Sequence, residues 1–128
     1  MVTKLHVEGY DAFKETVPKI EEFDKSGKPV FVLFCGSPDK EGHNWCPDCV
    51  AAAPVVEKGL EGAPEDAVFV HVGVGERNTW KDPNCSFRTD PTLRLTSVPT
   101  LLKWGTPQKL GDSECSKQDL VDMLLQDD

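Results

Sequence analysis

Two cysteines separated by two residues, Cys46-Pro47-Asp48-Cys49, are the part of this sequence best suited to chemistry. They stand between an apolar run and a helix-forming run, so the first cysteine is placed to cap a helix and the second to lie in its first turn. A helix start carries unpaired N–H groups and about half a positive charge, which favours thiolate over thiol. Cys46 lies nearer that end, so its pKa should fall below the ~8.5 of a free cysteine, and it should be the more exposed of the two. Cys49 should be more buried, with a higher pKa. Cys46 is therefore the expected nucleophile and Cys49 the resolving thiol of a thiol–disulfide exchange. Pro47 suits the first helical position, where its missing N–H costs little. Asp48 stabilises a first turn but sets a negative charge near the thiolate. Together they are expected to tune the pair. Trp45, beside the nucleophile, is expected to shield it and to offer substrate a flat surface. Pro99, in Val98-Pro99-Thr100, directly precedes a strand, where a cis bond would shape a tight turn. Val98 and Pro99 are expected to contact a bound peptide through the backbone before the proline.

Zinc is the rival chemistry. His43, Cys46 and Cys49 give three donors, whereas a closed structural site needs four, usually with a second close pair. Only the isolated Cys35, Cys85 and Cys115 remain, so no metal ligand is assigned. A binding or adaptor module with an incidental dithiol is the alternative from another functional class, and both cysteines being intact argues against it. Cys35 reads as a small apolar residue at a strand end. Cys85 and Cys115 sit among polar neighbours and are expected to be exposed spectators. His6 reads as a surface residue, His43 as a loop residue and His71 as a strand residue.

These residues need a scaffold, and 128 residues suffice for one domain, 1–128, with a real core. The net charge of −8 disfavours nucleic acid and anionic membrane surfaces as partners. No apolar stretch approaches the ~20 residues of a membrane span. Five cysteines cannot all pair within one chain, so a secreted disulfide scaffold fits poorly. The start lacks the apolar segment of a signal peptide. The expected location is the cytosol, where a close cysteine pair is catalytic or metal-binding more often than structural. Monomer is the default state.

The apolar pattern changes period along the chain. Leu5 and Val7 alternate as in a short strand. Phe13, Val17 and Ile20 follow at helical spacing to about Lys25, with a kink or break expected at Pro18. Val30 to Cys35 reads as a strand buried on both faces. A polar loop from Ser37 to Asn44 leads to the cysteines, and the helix after them is expected to be interrupted at Pro54. Val68 to Val72 is a second buried strand. A long loop then follows, with one helical turn near Ser86 to Thr89. Thr100 to Trp104 and Gln108 to Leu110 form a closing hairpin. Ser116-Lys117-Gln118-Asp119 has the form of a capping box, opening a last helix that buries Leu120, Val121, Leu124 and Leu125. Strands alternating with helices imply an α/β fold, a mixed, mainly parallel sheet with helices on both faces.

Trp45-Cys46-Pro47-Asp48-Cys49, with Val98-Pro99-Thr100-Leu101-Leu102-Lys103 and Gly105-Thr106-Pro107-Gln108-Lys109-Leu110, resembles the thioredoxin family. The likeness is greatest to its branch of 14-kDa thioredoxin-related proteins and spans most of the chain from Val30 onward. It implies a thioredoxin fold and a cytosolic disulfide reductase acting on small-molecule and selected protein disulfides. No cofactor is bound in such proteins: electrons come from NADPH through thioredoxin reductase, the implied protein partner. Peroxidase activity and a part in redox signalling are implied as well. Cys46 carries over as nucleophile, Cys49 as its partner, Pro47 and Asp48 as tuners of potential, and Pro99 as the substrate-side cis-proline. Ordinary thioredoxins place a buried aspartate where this chain has Leu33, which leaves the proton acceptor for Cys49 unassigned. The Ser37–Asn44 loop is longer than in ordinary thioredoxins, and Cys35 and Cys85 are additional cysteines.

Overall fold

The structure is a computed structural model that describes residues 2–126. Strand β1 (Thr3–Glu8) leads into helix α1 (Tyr10–Lys25), and strand β2 (Val30–Cys35) into helix α2 (Pro47–Leu60). Strand β3 (Val68–Gly73) follows, then the short helices α3 (Arg77–Lys81) and α4 (Ser86–Thr89). The hairpin of β4 (Thr100–Lys103) and β5 (Lys109–Leu110) precedes helix α5 (Gln118–Gln126). The five strands form one sheet in the order β1-β3-β2-β4-β5. β1 and β2 pair with β3 in parallel, while β2–β4 and β4–β5 are antiparallel. The sheet is mixed, as the alternating elements predict, with two pairings of each kind.

β2 is central because all six of its side chains, Val-Phe-Val-Leu-Phe-Cys, are buried. A strand this apolar must be covered on both faces. Phe34 meets Phe13 of α1 edge-on on one face, with ring centroids 5.5 Å apart. α2 buries Cys49, Ala52, Val56, Gly59 and Leu60, a stripe at helical spacing. α5 packs on α2 with Val121, Leu124 and Leu125 buried, while Leu120 is only half-buried. A Cβ at Gly59 would lie 2.8 Å from Leu125 Cδ1, so glycine permits this close approach.

Three local expectations are corrected. α1 runs through Pro18 and α2 through Pro54 without a break. Both prolines are exposed, and the carbonyls they leave unpaired, on Lys14 and Val50, belong to exposed residues that water can solvate. The capping box does not form. α5 begins at Gln118, the amides of Leu120 and Val121 both donate to Lys117 O, and the Asp119 carboxylate accepts from Leu120 N. Cys85 and Cys115 are not exposed, being 8% and 0% accessible. Their polar neighbours face water while each sulfur turns inward. Cys115 Sγ lies 3.6 Å from Leu110 O and 3.8 Å from Pro99 O.

Candidate functional site

The cysteines sit where β2 hands over to α2. Cys46 is the N-cap of α2, in extended conformation, and Pro47 occupies the start of the helix, where its fixed φ suits the first turn. Cys49 N–H donates to Cys46 Sγ at 3.2 Å. A backbone donor and the positive end of the helix thus both point at the first sulfur. The Cα atoms of Cys46 and Cys49 are 5.2 Å apart and the sulfurs are at bonding distance, forming a disulfide. Cys46 is 5% accessible and Cys49 2%. Cys46 is therefore far less exposed than the sequence suggested, because its sulfur turns inward toward the Val98–Pro99 segment. Pro47 and Asp48 are exposed beside it.

Val98–Pro99 is a cis peptide bond, as expected from its position before β4. Val98 O lies 3.6 Å from Cys46 Sγ across 52 positions of sequence. Both Val98 and Pro99 are buried. Trp45 is half-buried, and its indole Nε1–H donates to Gly75 O at 3.0 Å. Its ring lies over Gly36, where a Cβ would come within 2.6 Å of Trp45 Cε2.

Two residues that the sequence reading passed over hold this corner together. Asn44 Oδ1 accepts from Cys46 N–H at 2.9 Å, and its Nδ2 donates to Gly36 O at 2.8 Å. An asparagine two residues before the N-cap is the signal that reveals it, since Asn bonds the backbone two residues on. Ser37 Oγ–H donates to Glu8 Oε1 at 2.6 Å and accepts from Gly75 N–H at 2.9 Å. The long loop is tied as well. Pro38 and Asn44 bridge, and Asp39 Oδ1 accepts from the amides of Glu41 and His43. These bonds, that of His43 foremost, hold the Asp39 carboxyl below its ordinary range. His43 is exposed, with Nδ1 3.7 Å from Glu41 Oε2, and does not join the cysteines in a donor cluster. Among the described residues no three His, Cys, Asp or Glu side chains are grouped to hold a metal ion.

Cys35 is 3% accessible at the end of β2, and burial, with Cys115 adding to it, pushes its thiol up to about 12. Cys115 is likewise pushed up to about 12, chiefly by burial. His71 is half-buried on β3 and His6 exposed on β1, as expected, but the register pairs them: their Nδ1 atoms are 2.8 Å apart. Trp80 and Trp104 pack rather than face the cysteines. The Arg88 guanidinium lies 4.0 Å from the Trp80 ring centroid, and Trp104 meets Phe13.

Comparison with known proteins agrees with this architecture. The family model described as thioredoxin domain-containing protein 17-like, thioredoxin domain, matches residues 6–127. Thioredoxin domain-containing protein 17 of Mus musculus is 52% identical over 113 residues, which cover 84% of this chain and 90% of that protein. Its Homo sapiens counterpart is 47% identical over 125 residues, covering 98% of this chain and 96% of that protein. The thioredoxin-like protein Clot of Oryza sativa is 39% identical over 110 residues, covering 80% of this chain and 79% of that protein.

Proposed function

We propose that this chain, which belongs to the thioredoxin domain-containing protein 17-like family of thioredoxin domains, is a disulfide reductase working through Cys46 and Cys49. The observation that carries the reading is the pairing of two sulfurs at a helix start, one receiving a backbone N–H and the other enclosed behind it. Reduced Cys46 attacks a substrate disulfide as thiolate and forms a mixed disulfide. Cys49 then attacks Cys46 Sγ, releases the second substrate thiol and leaves the Cys46–Cys49 bond. Pro47 and Asp48 set the poise of the pair. Trp45, Val98 and Pro99 form the substrate side, with Val98 O nearest the reacting sulfur.

Burial of Cys46 favours small-molecule disulfides and protein disulfides that protrude, since a flat partner cannot bring a bond to a sulfur that is 5% accessible. Thioredoxin reductase, drawing on NADPH, returns the pair to the dithiol, and no bound cofactor takes part. The reading includes work as a monomer in the cytosol, with peroxide reduction and redox signalling as further uses of the same dithiol. No helix among the described residues is long and apolar enough to cross a membrane.

The test is NADPH consumption with thioredoxin reductase and either cystine or insulin as substrate. The wild-type chain should support turnover and Cys46→Ser should abolish it. No consumption on any disulfide would leave a binding module as the better reading.

A further inference from the structure

Behind the cysteine pair lies a cavity of about 300 Å³ between α2 and the sheet. Cys49, Cys35, Leu33, Asn44, Glu57 and His71 are among its walls. It is roomy enough for several waters, each of which takes about 30 Å³. His71 joins Cys49 in this wall because β3 sets it in register with Leu33 of β2, beneath the first two turns of α2. On its other side β1 sets His6 in the same register, and the two rings stack with centroids 4.9 Å apart.

With His6 neutral, the hydrogen-bond partners assign a proton to one nitrogen of each ring. Glu8 Oε2 lies 2.6 Å from His6 Nε2, so that nitrogen holds a proton. In neutral His6 the Nδ1 atom is then an acceptor. It faces His71 Nδ1 at 2.8 Å, so His71 Nδ1 is the donor. His71 Nε2 is left with a bare lone pair. A carboxylate thus orients one imidazole, which orients a second whose free nitrogen is a base.

We propose that His71 accepts the Cys49 proton during resolution of the mixed disulfide, with His6 and Glu8 as positioning residues that hold its tautomer. This rests on the disulfide-reductase reading. The Cys49 thiol proton passes through cavity water to His71 Nε2. The Cys49 thiolate attacks Cys46 Sγ, the Cys46–Cys49 bond forms, and the bond from Cys46 to substrate breaks. The two electrons leave on the substrate thiolate. His71 then gives up that Nε2 proton through the cavity water to solvent, while His6 and Glu8 hold its Nδ1–H in place, which restores the free lone pair.

The groups that face His71 favour this role. Burial first, and then the His6 charge, hold its pKa below the ordinary 6.5 against the opposing pull of Glu8. It is therefore neutral and able to accept at pH 7. From α2 it is faced by Cys49 and by Glu57, which is ion-paired with Lys4 of β1. From β2 it is faced by Leu33 and Cys35, the latter protonated.

Single-turnover mixing of the reduced chain with 5,5′-dithiobis(2-nitrobenzoate) tests this. One coloured thiol leaves when Cys46 attacks and a second when Cys49 resolves, so the two steps appear separately. In wild type the second phase should rise with pH through a midpoint below 6.5 and level off above it. His71→Gln should leave the first phase unchanged and slow the second by about 100-fold at pH 7, the lower end of what a general base supplies. The loss should shrink toward high pH as hydroxide takes over. His6→Gln, at an exposed position, should move the midpoint upward by removing the neighbouring charge. A second phase without a midpoint in wild type, or one unmoved in both variants, overturns the proposal and leaves the reductase reading intact. Absence of the first phase overturns both.

Discussion

Replacing Gly36 with alanine probes the packing that seats the Trp45 ring, next in sequence to Cys46. Gly36 has no left-handed φ, so alanine is acceptable to its backbone and the effect is one of space. The added Cβ would sit 2.6 Å from Trp45 Cε2 and 2.8 Å from both Cζ2 and Nε1. Real Cβ contacts are longer, so the indole must shift. Overpacking of this kind costs about 1–3 kcal/mol. The shift also breaks the Nε1–H bond to Gly75 O, worth about 1 kcal/mol. The expected destabilisation is roughly 2–4 kcal/mol, read as a lower urea midpoint at constant slope. Disulfide reduction should slow in parallel, because Trp45 precedes the N-cap cysteine. Trp45→Ala removes the whole indole and with it all three clashing atoms, so Gly36→Ala should cost at least about 1 kcal/mol less in a Trp45→Ala background than in wild type. If the two substitutions add within about 0.5 kcal/mol, the clash is not the mechanism and the reasoning is refuted.

The remaining predictions concern charge and burial. Burial alone would raise the Asp90 pKa, but the Tyr10 hydroxyl at 2.7 Å, the amides of Thr92 and Leu93, and Lys14 together hold it below its usual value. Its contribution to stability is then present above the unfolded pKa of ~3.9 and lost as pH falls through the lower folded value. Asp90→Asn should flatten that acid limb in urea titrations between pH 5 and 2, and an unchanged limb would contradict the assignment. Tyr10, pushed up to about 12 chiefly by its bond to Asp90, should show a phenolate absorbance midpoint well above 10 that returns toward 10 in Asp90→Asn. In the native oxidised protein, iodoacetamide at pH 8 should leave Cys35 and Cys115 unmodified while they react fully after denaturation, since both are buried with raised pKa values. Asp48→Asn, removing a negative charge near Cys46, should lower the pH of thiolate formation and make the pair more oxidising in glutathione equilibration. No change in either would end a tuning role for Asp48.

What the sequence made legible was local. W-C-P-D-C announces a helix start because its proline, acidic residue and following alanines all suit a first turn, and α2 begins at Pro47. β2 was readable to the residue because Pro29 and Gly36 bound six apolar side chains. The misreadings arose where a residue's surroundings come from distant chain. Pro18 and Pro54 look like breaks until the solvent-facing side of each helix is known. Cys115 looks exposed among Asp112, Ser113 and Glu114 until the β4–β5 hairpin closes over its sulfur. The His6–His71 contact spans 65 positions and depends on the parallel register of β1 with β3, which no local pattern encodes. Asn44 is the intermediate case, a local Asx bond that the spacing to Cys46 already implied.

The central claim is that Cys46 attacks and Cys49 resolves. The most direct measurement is mass spectrometry of the Cys49→Ser chain after brief exposure to cystine under native conditions. A single half-cystine adduct confined to Cys46, persisting because nothing resolves it, is the predicted result. No adduct at Cys46, or adducts on Cys35, Cys85 or Cys115 instead, would contradict the account.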